Sequence, residues 1–137
     1  MPATTDDELA AALDAETTAV VGCSRTPGKA AHDIPRYLLE HGYEVLPVNP
    51  NAEEIFGRTA YDSLSEVEEQ IDLVDVFRPS HEVSEVVDEA LERDDVETVW
   101  LQLGIRDGES GERVETAGKR FVQDRCIKVE HRRLASA

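Results

Sequence analysis

Gly22-Cys23-Ser24-Arg25-Thr26-Pro27-Gly28-Lys29 carries the densest chemistry in the chain. Glycine lets a backbone approach a bulky anion closely. A helix that starts just after such a loop offers unpaired amides and the positive end of its dipole. Ser24 and Thr26 add hydroxyl donors, and Arg25 and Lys29 add positive charge. Residues 1–57 hold only three Lys or Arg, and two of them are in this loop. The segment is suited to a phosphate. Ser24 stands where a G-x-G-x-x-G motif needs its second glycine. A Walker A reading also fails, because Gly28-Lys29 runs into Ala30 and leaves no hydroxyl for Mg²⁺, and Gly22 lies one residue too far back.

Asn49-Pro50 stands where a dinucleotide site places an Asp or Glu to hold the ribose diol, which disfavours NAD. Cys23 could be a thiol activated at a helix N-terminus, or a small residue packed under the loop; no histidine is placed beside it in sequence, so packing is expected. Cys126 is expected in the core. His32, His41, His81 and His131 are scattered without metal-site spacing. His32 could reach a phosphate, but a place on the helix surface is the simpler expectation. Arg78 follows a strand end and faces the expected cleft, whereas Trp100 reads as core.

The elements that must position these residues alternate. Thr5-x-x-Glu8 reads as a capping box for a helix over about 6–14. Thr17–Gly22 reads as a buried strand, followed by a helix to His41 that tolerates Pro35 only in its first turn. Further strands are expected at Tyr43–Val48, Asp72–Phe77, Val96–Leu101 and Cys126–Val129. Helices are expected near 64–70, after Ser80, and over about 109–123. Val83, Val86, Val87, Ala90 and Leu91 follow i, i+3, i+4, i+7, i+8, one apolar helix face. Long crossovers between strands predict an α/β fold with a doubly wound sheet of about five parallel strands and helices on both faces. Ligands of such sheets sit beyond the carboxyl ends of the strands. Those ends are Gly22–Lys29, Asn49–Asn51, Phe77–Ser80 and Gln102–Ile105.

The 137 residues fit one domain, with a core expected over about 15–134. Thirty acids face fourteen Lys plus Arg, a net charge of −16. Such a surface disfavours nucleic acid and anionic membranes. With only three lysines, it suggests adaptation to high salt; unfolding on dialysis into low salt would support that. No apolar run approaches the roughly 20 residues of a membrane span. The polar start lacks a signal peptide's pattern, so a cytoplasmic location is expected.

Val20–Pro50, with Val76-Phe77-Arg78-Pro79-Ser80, Val99-Trp100-Leu101-Gln102-Leu103-Gly104-Ile105 and Asp124-Arg125-Cys126, resembles the CoA-binding protein family of small stand-alone Rossmann-like domains. It is also similar to the N-terminal domain of the succinyl-CoA synthetase α subunit. The resemblance implies coenzyme A or an acyl-CoA as cofactor. Gly22, Ser24, Arg25 and Lys29, in a loop with Cys23 and Pro27, would approach its phosphates. Asn49 and Pro50 would border it, Phe77 and Arg78 would lie under adenine or ribose, and Gln102, Gly104 and Ile105 would line the other side. The synthetase's second domain and phosphohistidine loop are not matched, so thioester formation does not carry over. Three functions stay open: a non-catalytic CoA-binding module, an NAD(P)-binding oxidoreductase subunit, and an in-trans subunit of a CoA-ligase-like complex. A homodimer is expected on general frequency alone.

Overall fold

The computed structural model describes residues 2–135. In chain order the elements are α1 (Asp6–Leu13), β1 (Thr17–Val21), α2 (Ala30–Glu40), β2 (Glu44–Val48), β3 (Glu54–Ile55), β4 (Arg58–Thr59), β5 (Leu73–Val76), α3 (Val83–Leu91), β6 (Thr98–Leu101), α4 (Gly108–Thr116), β7 (Arg120–Val122) and α5 (Ile127–Ala135). Five strands pair in parallel in the order β2-β1-β5-β6-β7, and β3 and β4 form a small antiparallel ribbon. The first strand therefore lies inside the sheet, and the chain reverses its winding direction beside it. This is the doubly wound, Rossmann-like α/β arrangement that the alternation predicts.

Side chains alternate across the sheet and build two apolar layers. Ala19, Val21, Leu46, Val74, Val76, Val99, Leu101 and Phe121 face α3 and α4. Val20, Val45, Leu73, Trp100 and Val122 face the opposite layer, with Leu9 of α1, Leu38 of α2 and Ile127 of α5. Thr5 and Glu8 form the expected capping box on α1. Trp100 is core, and its indole donates to the Arg125 carbonyl at 2.8 Å.

Three expectations need correction. The fifth strand is Arg120–Val122, not Cys126–Val129. The preceding helix stops at Thr116, where Gly118 at φ +80° turns the chain and Lys119 N–H closes on the Val114 carbonyl. Val114, Ala117 and Phe121 fit a helical period across that break, which hides a three-residue strand. Cys126 lies in the half-buried turn before α5, and Ile127, Glu130 and Leu134 repeat at helical spacing. Secondly, Pro35 sits in the second turn of α2, where it removes an interior helical amide. Thirdly, the helix expected over 64–70 is one 3-10 turn, Leu64–Glu66. The β3–β4 hairpin has no counterpart in the expectations. Phe56 and Gly57 take φ of 58° and 71° at its tip, and Phe is a poor signal for a left-handed turn position.

Candidate functional site

Gly22 ends β1 at φ +88°, and its amide continues the ladder to the Val48 carbonyl at 2.9 Å. A Cβ here would lie 2.9 Å from Arg78 Cδ and 3.3 Å from the Phe77 carbonyl carbon. Only glycine fits, and the turn is packed under the next strand's loop. Beyond it the loop is held by its own backbone. Ser24 Oγ accepts from Thr26 N–H at 3.1 Å, and the Asp33 carboxylate accepts from Gly28 N–H at 3.1 Å. That bond, and next the contact with His32, hold the Asp33 carboxyl below its usual range. His32 is buried with its ring 4.7 Å from that of Phe56 at the β3–β4 tip, so it is not on the helix surface.

Pro35 has a positional role. A helix would bond residue 35's amide to the Ala31 carbonyl, and proline has no such amide. Ser24 N–H donates to that carbonyl instead, at 2.9 Å. The irregularity in α2 thus anchors the loop in front of it. Asn49 anchors it from the other side. Its amide nitrogen donates to the Cys23 carbonyl at 2.9 Å, and its oxygen accepts from Asn51 N–H at 2.8 Å. Asn49 is therefore a clamp between two loops, with both ends of its side chain engaged.

A cleft of about 340 Å³ lies at this corner, bordered by Gly22, Asn49, Pro50, Arg78 and a wall of carboxylates that includes Glu82 and Glu85. A wider trough of about 640 Å³ runs between α3 and α4, away from the β1 and β2 ends. Arg25, Pro27 and Lys29 are exposed on the loop beside the cleft. Among the described residues, the side chains of Arg25 and Lys29 have no ion-pair or hydrogen-bond partner. Most of the chain's other cations do have one, including Arg58 with Glu44, Arg93 with Asp95, Arg106 with Asp124 and Arg113 with Asp88. Two uncommitted cations beside a glycine turn, in a protein of net charge −16, suit a phosphate group.

The structure does not bring all expected residues together. Cys23 is fully buried beneath the loop, and burial, then the charge of Asp75, push its thiol up to about 12. It packs in the α2-side layer, as expected. Phe77 is half-buried against the α2 layer. Arg78 borders the cleft, but Glu82 holds its guanidinium through contacts of 2.8, 3.0 and 3.1 Å. Gln102 is buried and accepts from Ile127 N–H at 3.2 Å. Ile105 packs against the α3 layer. Gly104 is exposed, but its amide donates to Asp124 at 2.7 Å. None of Gln102, Gly104 and Ile105 lines the cleft.

Sequence reasoning missed Glu82, Pro35 and Asp75. Glu82 is legible as the i+4 partner of Arg78. Asp75 lies mid-strand, between Val20 and Trp100 in register, fully buried, and neither carboxyl oxygen has a partner among the described residues. Burial raises its pKa well above the ordinary carboxylate value.

The sheet and its carboxyl edge define a Rossmann-like α/β domain. Residues 16–132 match the family described as the CoA binding domain, and the chain belongs to that family. It is 38% identical over 113 residues to the uncharacterized protein YneT of Bacillus subtilis (strain 168), across 82% of this chain and 83% of that one. It is 31% identical over 117 residues to ADP-forming acetate–CoA ligase II of Archaeoglobus fulgidus, across 83% of this chain but 17% of the ligase. The solved structure of cell-free ID.343 from Thermus thermophilus superposes with a TM-score of 0.89 at 46% identity, covering 96% of this chain and 99% of that one. Among the described residues, no helix is long and apolar enough to cross a membrane.

Proposed function

We propose that this domain binds coenzyme A or an acyl-CoA without turning it over, with the cofactor's phosphates against Gly22–Lys29. The observation that carries this reading is the pair of uncommitted cations, Arg25 and Lys29, beside a glycine that only a bare backbone can occupy. Gly22, Asn49, Pro50 and Arg78 border the cleft that the rest of the ligand would enter. Family membership supports the choice of CoA among phosphate ligands. Binding without turnover is favoured by the buried Cys23, whose thiol is raised to about 12 and is no nucleophile at neutral pH. NAD is disfavoured because Asn49 spends both ends of its amide on the loops and offers no carboxylate to a ribose diol.

Isothermal titration with CoA, acetyl-CoA and NAD tests the reading. CoA and acetyl-CoA should bind with similar affinity, since the acyl group lies far from the phosphates, and NAD should bind more weakly. Preference for NAD would overturn it. A second reading has its own support: the chain aligns with about a sixth of a far longer acetate–CoA ligase. The domain would then supply a CoA site to a partner that carries the chemistry. Co-purification of a ligase-like chain with the native protein would favour that reading.

A further inference from the structure

Arg78 occupies an unusual position at the cleft. Its stem passes within contact distance of Gly22, so that a Cβ on Gly22 would meet Arg78 Cδ at 2.9 Å. Its guanidinium is gripped by both carboxylate oxygens of Glu82. Glu82 ends the 3-10 turn Ser80–Glu82, directly before α3. Both side chains line the same cleft and both keep partial exposure, 45% for Arg78 and 34% for Glu82. A bidentate carboxylate occupies the same two guanidinium donors that a phosphate would use. The rest of that wall, with Glu85 and Glu89, adds further negative potential.

We infer that Glu82 is an internal competitor for the ligand's phosphate: it holds Arg78 in the free protein, and the incoming anion takes its place. The inference rests on the CoA reading above and adds a regulating residue to the same site. A phosphate drawn to Arg25 and Lys29 arrives next to the Arg78 stem, and rotation about the side chain's outer torsions transfers the guanidinium from carboxylate to phosphate. The Glu82 carboxylate is left to solvent and to His81, whose Nε2 lies 3.7 Å from its Oε2, so the cost is the loss of one half-exposed ion pair. Ligands with a full negative charge at that point overcome it, while neutral ligands do not. Glu82 therefore sets a threshold that favours phosphorylated ligands over their dephosphorylated counterparts.

The test is a double-mutant cycle read by titration calorimetry with CoA. Glu82→Gln should tighten CoA binding roughly three- to fivefold, the scale of a surface ion pair, and steepen the dependence on salt. In an Arg78→Ala background the same change should have no effect, because there is no guanidinium to release. The melting temperature of Glu82→Gln, which reports folding apart from binding, should stay at the wild-type value. Unchanged or weaker binding by Glu82→Gln overturns the inference. So does an equal gain in both backgrounds, which would reflect bulk charge and not the ion pair. Both outcomes leave the CoA reading intact when the wild type binds CoA; a wild type that does not bind CoA removes both.

Discussion

The β1–α2 and β6–α4 loops share their parts and differ in how they are filled. Each has a glycine in the left-handed region, Gly22 at φ +88° and Gly104 at φ +87°. Each has an arginine a few residues on, Arg25 and Arg106, and each runs into a helix. In the second loop Asp124 already occupies the anion position. It accepts from Gly104 N–H at 2.7 Å and pairs with Arg106 at 2.8 Å. In the first loop the nearest carboxylate, Asp33, caps Gly28, and Arg25 and Lys29 have no partner among the described residues. Loop shape alone does not make an anion site; uncommitted charge beside the shape does. On this comparison Gly104 is a less favourable CoA contact than Gly22, because a ligand there must displace a built-in carboxylate.

The largest effect should come from removing the uncommitted charge. Arg25→Ala with Lys29→Ala should weaken CoA binding by at least ~2 kcal/mol, since charge-assisted phosphate bonds run ~1.5–3 kcal/mol each. Arg106→Ala should change affinity by less than about twofold, a neutralised exposed charge being worth little. Equal losses by calorimetry would break the comparison. Glycine substitutions come next. Gly22→Ala adds a clash with Arg78 and Phe77 to an unfavourable φ and should cost about 2 kcal/mol in urea unfolding. Gly104→Ala meets nothing within 4 Å, so only the φ penalty remains, about 1 kcal/mol.

Acid–base behaviour should differ in sign between Asp75, inside the sheet, and Asp124, in the turn after β7. Asp75 lies mid-strand in β5, with its native pKa raised by burial. Its contribution to stability is fully present below the ordinary carboxylate value. It declines as pH rises from there through the raised value, and Asp75→Asn should flatten that slope. Asp124 is held below its usual range, first by the Gly104 amide and then by Arg106. Its contribution is present above the ordinary carboxylate value and is lost as pH falls through the lowered one, so Asp124→Asn should remove an acid-side loss. Thermal unfolding across pH 3–8 reads both; slopes of the same sign would contradict the assignment. The smallest effect concerns Pro35. Pro35→Ala restores an amide that competes with Ser24 for the Ala31 carbonyl, and should weaken CoA binding about twofold without lowering the melting temperature.

The parallel sheet was legible because β-branched runs such as Thr17–Val21 and Thr98–Leu101 alternate with a helix as regular as Val83–Leu91. The loop was legible for a related reason, since Gly22 with Arg25 and Lys29 stands out in an acidic chain. The C-terminal part was misread because β7 has only three residues and its apolar spacing continues that of α4. Partnering at short range is legible, as with Thr5–Glu8 and Arg78–Glu82, but long-range partnering is hidden. Nothing local to Gly104 announces that Asp124, twenty residues later, fills its amide, and nothing local to Asn49 announces that its side chain holds the Cys23 carbonyl. Sequence shows which groups could bind an anion; tertiary structure shows which of them are already engaged.

The most direct test follows backbone amide resonances during titration with CoA. Shifts should concentrate at residues 22–30 and 49–51 and leave 104–106 and 124 nearly unmoved. Shifts centred on 104–106 and 124, or none at millimolar CoA, would contradict the assignment of the first loop as the phosphate site.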